Sequence, residues 1–81
     1  MKNYDKLIYK KVGNRIQYLR KECGKSQRDI ADVLYVDESY ISKIETGACG
    51  ISLPALFRLA DAIGVSAADL VNVKWENQFK P

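Results

Sequence analysis

The side chains best equipped for covalent chemistry are Cys23 and Cys49, and no histidine accompanies them anywhere in the 81 residues. A thiol becomes a nucleophile only beside a base or a cation, and histidine is the usual supplier of both. Two cysteines without CxxC spacing also fall short of a tetrahedral zinc site. No other nucleophile is paired with a base, so an enzyme is not expected, and neither is a metal or a cofactor. The sulfurs read as reduced thiols of an intracellular protein, with a disulfide or redox pair as the alternative.

What remains is the chemistry of charge and hydrogen bonding. Through Arg28 the chain carries nine basic residues against two acidic ones, and from Asp29 onward four basic residues face eight acidic ones. Such asymmetry points to a polyanionic partner near the amino-terminal third, with a merely solvated helix face as the bland alternative. The stretch SQRDIADVLYVDESYISKIETG, residues 26–47, has the opposite sign, with five acids against two bases. A polyanion reader with an acidic centre needs an explanation.

The elements that would position these groups are helices. Eighty-one residues make one domain, and a chain this short buries only roughly 60% of its unfolded surface, so it often leans on a partner. Ile8, Val12, Ile16, Leu19 and Cys23 mark one face of a helix from Tyr4 to Cys23, closed by Gly24. Ser26 caps a second helix, Gln27 to Leu34, with Asp29 completing a capping box and Ile30, Ala31 and Leu34 inward. Asp37 caps a third, Glu38 to Thr46, with Ile41 and Ile44 inward and Gly47 at its end. A fourth starts after Ser52 with Pro54 in its first turn, an apolar face of Leu53, Leu56, Phe57, Ala60 and Ile63, and Gly64 as terminator. Ser66 and Asp69 open a short fifth helix through Leu70 and Val71.

No alternation of period two appears, so the expectation is an all-α domain of five helices spanning residues 1–81, with a core at about 12–70 and a tail at 71–81. No apolar run approaches the roughly 18 residues of a membrane span. The opening MKNYDKLIYKK lacks the apolar segment of a signal peptide. A cytoplasmic protein is expected. Tyr4, Leu7, Ile8 and Tyr9 add an upstream apolar patch, read as further core with a dimer contact as the alternative. Val73, Trp75 and Phe79 on the tail read as a partner surface in preference to a strap folded back on the core.

Two short helices joined by a three-residue turn, with small Ala31 at the centre of the first, make a helix-turn-helix pattern. Ala31 lets the helices cross closely, Val36 plugs the turn, and the second helix projects its amino-terminal end. The segments SQRDIADVL, ESYISKIETG and LPALFRLADAIGVSAADL, within about Val12 to Leu70, resemble the lambda repressor/Cro-type helix-turn-helix family, also called the xenobiotic-response-element family.

That resemblance implies a five-helix DNA-binding domain, usually dimeric on a partly palindromic operator of double-stranded DNA, acting as a bacterial or phage transcriptional regulator. Repressors, restriction-modification controller proteins and antitoxins are among its small members. In the family's docking mode Glu38, Ser39 and Lys43 are the expected base readers, with merely exposed residues as the alternative: a carboxylate accepts from the cytosine amino group, and a lysine reaches guanine O6 and N7 or a phosphate. Ser42 and Tyr40 would lie nearer the DNA backbone. Gln27 matches the family glutamine that holds a phosphate, flanked by Lys25 and Arg28, with Arg15 as a further contact from the first helix. Glu45 and Arg20 match a family carboxylate and arginine, implying an ion pair between the first and third helices.

Dimer contacts are expected at Leu70, Val71, Val73 and Trp75, placing two reading helices about 34 Å apart. An antitoxin-like module, binding a protein partner through Trp75 and Phe79, is the alternative. The chain departs from the pattern in three places. Tyr35 stands where glycine is common, the loop Ala48-Cys49-Gly50-Ile51 lacks basic residues, and the first helix runs further upstream than a minimal domain needs.

Overall fold

Helix signals dominate the sequence, and the computed structural model follows them closely. It describes residues 3–76. Among these are α1 (Asn3–Glu22), α2 (Gln27–Leu34), α3 (Glu38–Thr46), α4 (Leu53–Ile63) and α5 (Ala67–Leu70), with no strand. Phe79 lies outside the described residues.

Local chemistry sets most boundaries. The Ser26 hydroxyl accepts from the Asp29 N–H at 3.0 Å, and the Asp29 carboxylate accepts from the Ser26 N–H at 2.8 Å. Ser66 and Asp69 repeat this box at α5. Ser52 caps α4, with Pro54 in its first turn where a missing N–H costs nothing. Gly24, Gly47 and Gly64 all take the left-handed conformation expected of them. Asp37 is the exception: it occupies the N-cap position of α3, but its side chain makes no capping hydrogen bond. Its charge there can act only on the positive end of the helix dipole.

The core lies where the five helices converge. Val12 and Ile16 enter from α1, Ile30 and Ala31 from α2, Ile41 and Ile44 from α3. Two expectations for apolar faces need correction. Cys23 is exposed, because α1 ends at Glu22 and the chain turns away before that sulfur reaches the inner face. On α4 the buried side is Leu56, Leu59, Ala60, Ala62 and Ile63, whereas Leu53 is 67% and Phe57 55% exposed. Leu53 and Phe57 are four residues apart, so they share a stripe, and that stripe faces away from the α2 and α5 that α4 packs against.

Gly13 has a role that the apolar pattern did not reveal. A Cβ placed there would overlap the carbonyl oxygen of Ile44 and stand 2.7 Å from that of Glu45. So α1 and α3 cross backbone to backbone, and only a residue without a side chain permits it. The available signal was a glycine inside a helix, which costs about 1 kcal/mol against alanine and calls for a packing reason.

The tail also differs from expectation. Leu70 is fully buried and completes the core, since α5 packs against both α4 and α1. It has no surface to offer a second subunit. Val71 stays exposed, Val73 is half-buried, and Trp75, 37% exposed, shares a cleft with Leu7 and Lys11 of α1. The tail as far as Glu76 therefore runs back along the upstream half of α1. Leu7 and Ile8 remain exposed, so the upstream patch is only partly core.

At the turn between α2 and α3, Tyr35 adopts φ 56° and ψ 45°, a left-handed conformation that strains a residue with a Cβ. Val36 follows; its N–H donates to the Ala31 carbonyl at 3.0 Å, yet its side chain stays exposed and closes the turn only in part. Tyr35 is 95% exposed, so its ring contributes little packing. Replacing Tyr35 with glycine is expected to raise stability by about 0.5–1 kcal/mol, the relief of strain less the entropy of an added glycine. A lower thermal midpoint for Tyr35→Gly would contradict this assignment of strain.

Candidate nucleic-acid interface

The geometry of the site starts from its hidden side. The Arg20 Nε donates to Glu45 Oε2 at 2.6 Å and Nη2 donates to Oε1 at 2.9 Å, a two-pronged pairing between α1 and α3. Nη1 donates to the Lys25 carbonyl at 2.8 Å, tying in the loop before α2. The Gln27 amide Nε2 donates to Glu45 Oε1 at 3.0 Å. Arg20 is 6% exposed and Glu45 1%, so both charges are withdrawn from water. Hydrogen bonding to Glu45 raises the Arg20 pKa above its ordinary value, against the opposing effect of burial.

With Ile41, Ile44 and Glu45 facing inward, the opposite side of α3 is solvent-facing. Ser39 and Lys43 are exposed there, one turn apart, and Glu38 is exposed at the amino-terminal tip of the helix, above the stripe of Ile41 and Glu45. Ser42 is half-buried. Tyr40 is turned against the core and lines a cleft with Leu34, Asp37 and Arg58, so only part of it reaches the surface. Arg28, in the first turn of α2, is exposed.

Three residues expected at the phosphate face are engaged internally. Gln27 gives one amide hydrogen to Glu45, which leaves its second for another acceptor. Lys25 turns back: its Nζ donates to the Ala62 carbonyl at 2.9 Å, at the carboxyl end of α4. Arg15 donates from Nε to the Asp69 carbonyl at 2.9 Å and stacks 5.6 Å from the Tyr18 ring centroid, which binds α1 to α5. Lys25 and Arg15 each give one donor to a distant carbonyl, while the Arg15 Nη groups and the other Lys25 hydrogens remain for further acceptors. Nothing in the residue pattern marks these bonds, because their acceptors are main-chain carbonyls more than thirty residues away.

The acidic residues of the central stretch divide in the same way. Glu45 is in the ion pair, Asp29 is in the capping box, Asp32 is exposed, and Asp37 and Glu38 begin α3. The Ser26 N–H holds the Asp29 carboxyl below the usual range. This stabilisation is present above the ordinary aspartate pKa near 4 and is lost as the pH falls through the lower, folded value.

Two measurements follow from this geometry. Arg20→Ala strands a buried carboxylate and is expected to cost about 3–5 kcal/mol, whereas replacing both Arg20 and Glu45 with apolar residues of similar volume costs much less. Equal losses in thermal melts of the single and double variants would show that the pair is not the source. Asp29→Asn should flatten the loss of stability that wild type shows as the pH falls below about 4; an unchanged acid limb would remove the capping box from the account.

The helix-turn-helix family profile HTH_3 matches residues 16–70, more than half of the chain. Over 56 residues the chain is 36% identical to the HTH-type transcriptional regulator RamB of Mycobacterium tuberculosis, a match covering 69% of this chain but only 12% of that protein. It is 33% identical over 61 residues to the control protein C.MunI of Mycoplasma sp, covering 74% of this chain and 82% of the relative. The crystal structure of the restriction-modification controller protein C.AhdI from Aeromonas hydrophila superposes with a TM-score of 0.72 at 32% identity, covering 76% of this chain and 94% of that one. With the paired helices α2 and α3 held as described, the chain belongs to the helix-turn-helix family.

Proposed function

We propose that the chain binds double-stranded DNA as a small dimeric transcriptional regulator, with α3 in the major groove. The observation that carries this reading is the orientation of α3. The buried pair and two isoleucines hold one side, Ser39 and Lys43 are exposed on the other, and Glu38 is exposed at the leading amino-terminal tip. Glu38 accepts from a cytosine amino group, Lys43 donates to guanine, and Ser39 serves either base. Arg28, the second amide hydrogen of Gln27 and the N–H groups at the start of α2 hold phosphate, with Ser42 and the exposed part of Tyr40 beside them. Lys25 and Arg15, each tied by one hydrogen bond to a distant carbonyl, flank this grip with their remaining donors. The regulatory titles of RamB and C.MunI agree with the reading.

A second copy is the natural cover for the apolar groove lined by Ile8, Tyr9, Ile51, Leu53, Leu56 and Val71. Ile8, Leu53 and Val71 are exposed at this groove and give a second copy an apolar surface to cover. Among the residues first expected at a dimer contact, Val71 stays in the proposal and Leu70 leaves it. The antitoxin-like alternative draws on the tail. Trp75, in its cleft beside α1, is a weaker anchor for a foreign protein than an extended tail would provide. No helix among the described residues is long and apolar enough to cross a membrane.

The test is selection from random duplexes by the purified protein. Two half-sites about 10 base pairs apart centre to centre, or a multiple of that, are expected. Glu38→Ala should relax preference at one position per half-site by about 1–3 kcal/mol and leave the other positions alone. Failure to enrich any sequence would overturn the reading.

A further inference from the structure

The loop that follows α3, residues 47–52, contains no charged side chain. It leaves α3 at the carboxyl end, beside the proposed DNA surface, and so offers a passing phosphate no cation. The upstream half of α1 lies against this loop at two points. A Cβ on Gly47 would stand 2.8 Å from the Cα of Lys10 and 2.9 Å from its nitrogen. A Cβ on Gly50 would stand 3.0 Å from Cζ of Tyr9 and 3.2 Å from its hydroxyl. The loop is therefore pressed onto two successive residues of α1, with a glycine at each contact.

This seating places Lys10 where the loop has no cation. Its backbone touches the residue immediately after α3, and its side chain is exposed with no ion pair among the described residues. Lys43 stands one turn back along α3, so the two lysines border the same end of the reading surface. Tyr9 is half-buried and lines the apolar groove, which fixes the height of the loop over α1. Both residues belong to the part of α1 upstream of the matched family region, which begins at residue 16.

We propose that Lys10 is a DNA-phosphate contact: α1, packed under Gly47 and Gly50, brings a cation to the carboxyl end of α3 in place of the one missing from the loop. The inference rests on the groove-binding reading and deepens it. The contact is electrostatic, so it adds affinity without adding sequence preference.

The experiment uses the full chain and a duplex taken from the selection. Lys10→Gln should lower the slope of log affinity against log salt by about 0.9 per protomer. Extrapolated from 1 M, that slope corresponds to an affinity loss of about fivefold at ~0.15 M salt. Base preference should not change. In a scan of duplexes bearing a single uncharged methylphosphonate, wild type should be weakened at one flanking position per half-site to which Lys10→Gln is indifferent. Lys74→Gln, which removes an exposed tail charge, is the control and should keep that sensitivity. If wild type binds but Lys10→Gln keeps its salt slope and its methylphosphonate profile, this inference fails and the groove reading stands. If Lys74→Gln loses the same sensitivity, the contact is not local to Lys10, and the inference fails as well. If wild type selects no duplex, both fall together.

Discussion

The buried pairing of Arg20 with Glu45 governs the arrangement of the first three helices. Arg20 comes from α1, Glu45 from α3, the Gln27 amide from the start of α2 and the Lys25 carbonyl from the loop before it. A carboxylate that is 1% exposed cannot be left without partners at tolerable cost. Rolling α3 about its axis would break the two bonds from the guanidinium and the one from the amide together. The outward face of α3 is thereby decided from the inside.

Sterics reinforce this electrostatic constraint. Gly13 brings the main chain of α1 against that of α3 at Ile44 and Glu45, next to the buried carboxylate. Ala31 does the equivalent for α2, being almost fully buried with no side chain beyond its Cβ. Close approach and ion pair are mutually dependent. A bulkier residue at either small position would separate the helices, and bonds of 2.6–3.0 Å would not survive that separation.

The charges of the chain take on a different meaning once placed. Asp29 caps α2, Asp37 stands at the start of α3 and Glu45 is in the core, so much of the acidity of the helix-turn-helix segment serves the fold. The basic amino-terminal third is likewise not a uniform positive surface. Arg15 and Arg20 hold α1 to its neighbours, and Lys25 holds the loop before α2 to the end of α4. The upstream half of α1 then serves two surfaces, with Ile8 and Tyr9 on the apolar groove and Lys10 beside α3.

Local rules carried the sequence reading a long way. Cap boxes at Ser26 and Ser66, glycines at 24, 47 and 64, and helical spacing of the isoleucines were sufficient for five helices, because each depends on residues within about one turn. The ion pair came through the family resemblance and stands in the structure. Distance along the chain hid the rest. The Arg15 and Lys25 side chains end on main-chain carbonyls of Asp69 and Ala62, which carry no residue-type signature. Leu53 and Phe57 match the apolar period of α4 but miss its buried side, since the neighbours of a helix, and not its own pattern, decide which stripe is covered. Sequence by itself determined where the helices begin and end, because caps and turns are satisfied locally. Only tertiary structure decided which cations were left to face solvent, because burial and long-range hydrogen bonds had first claim on them.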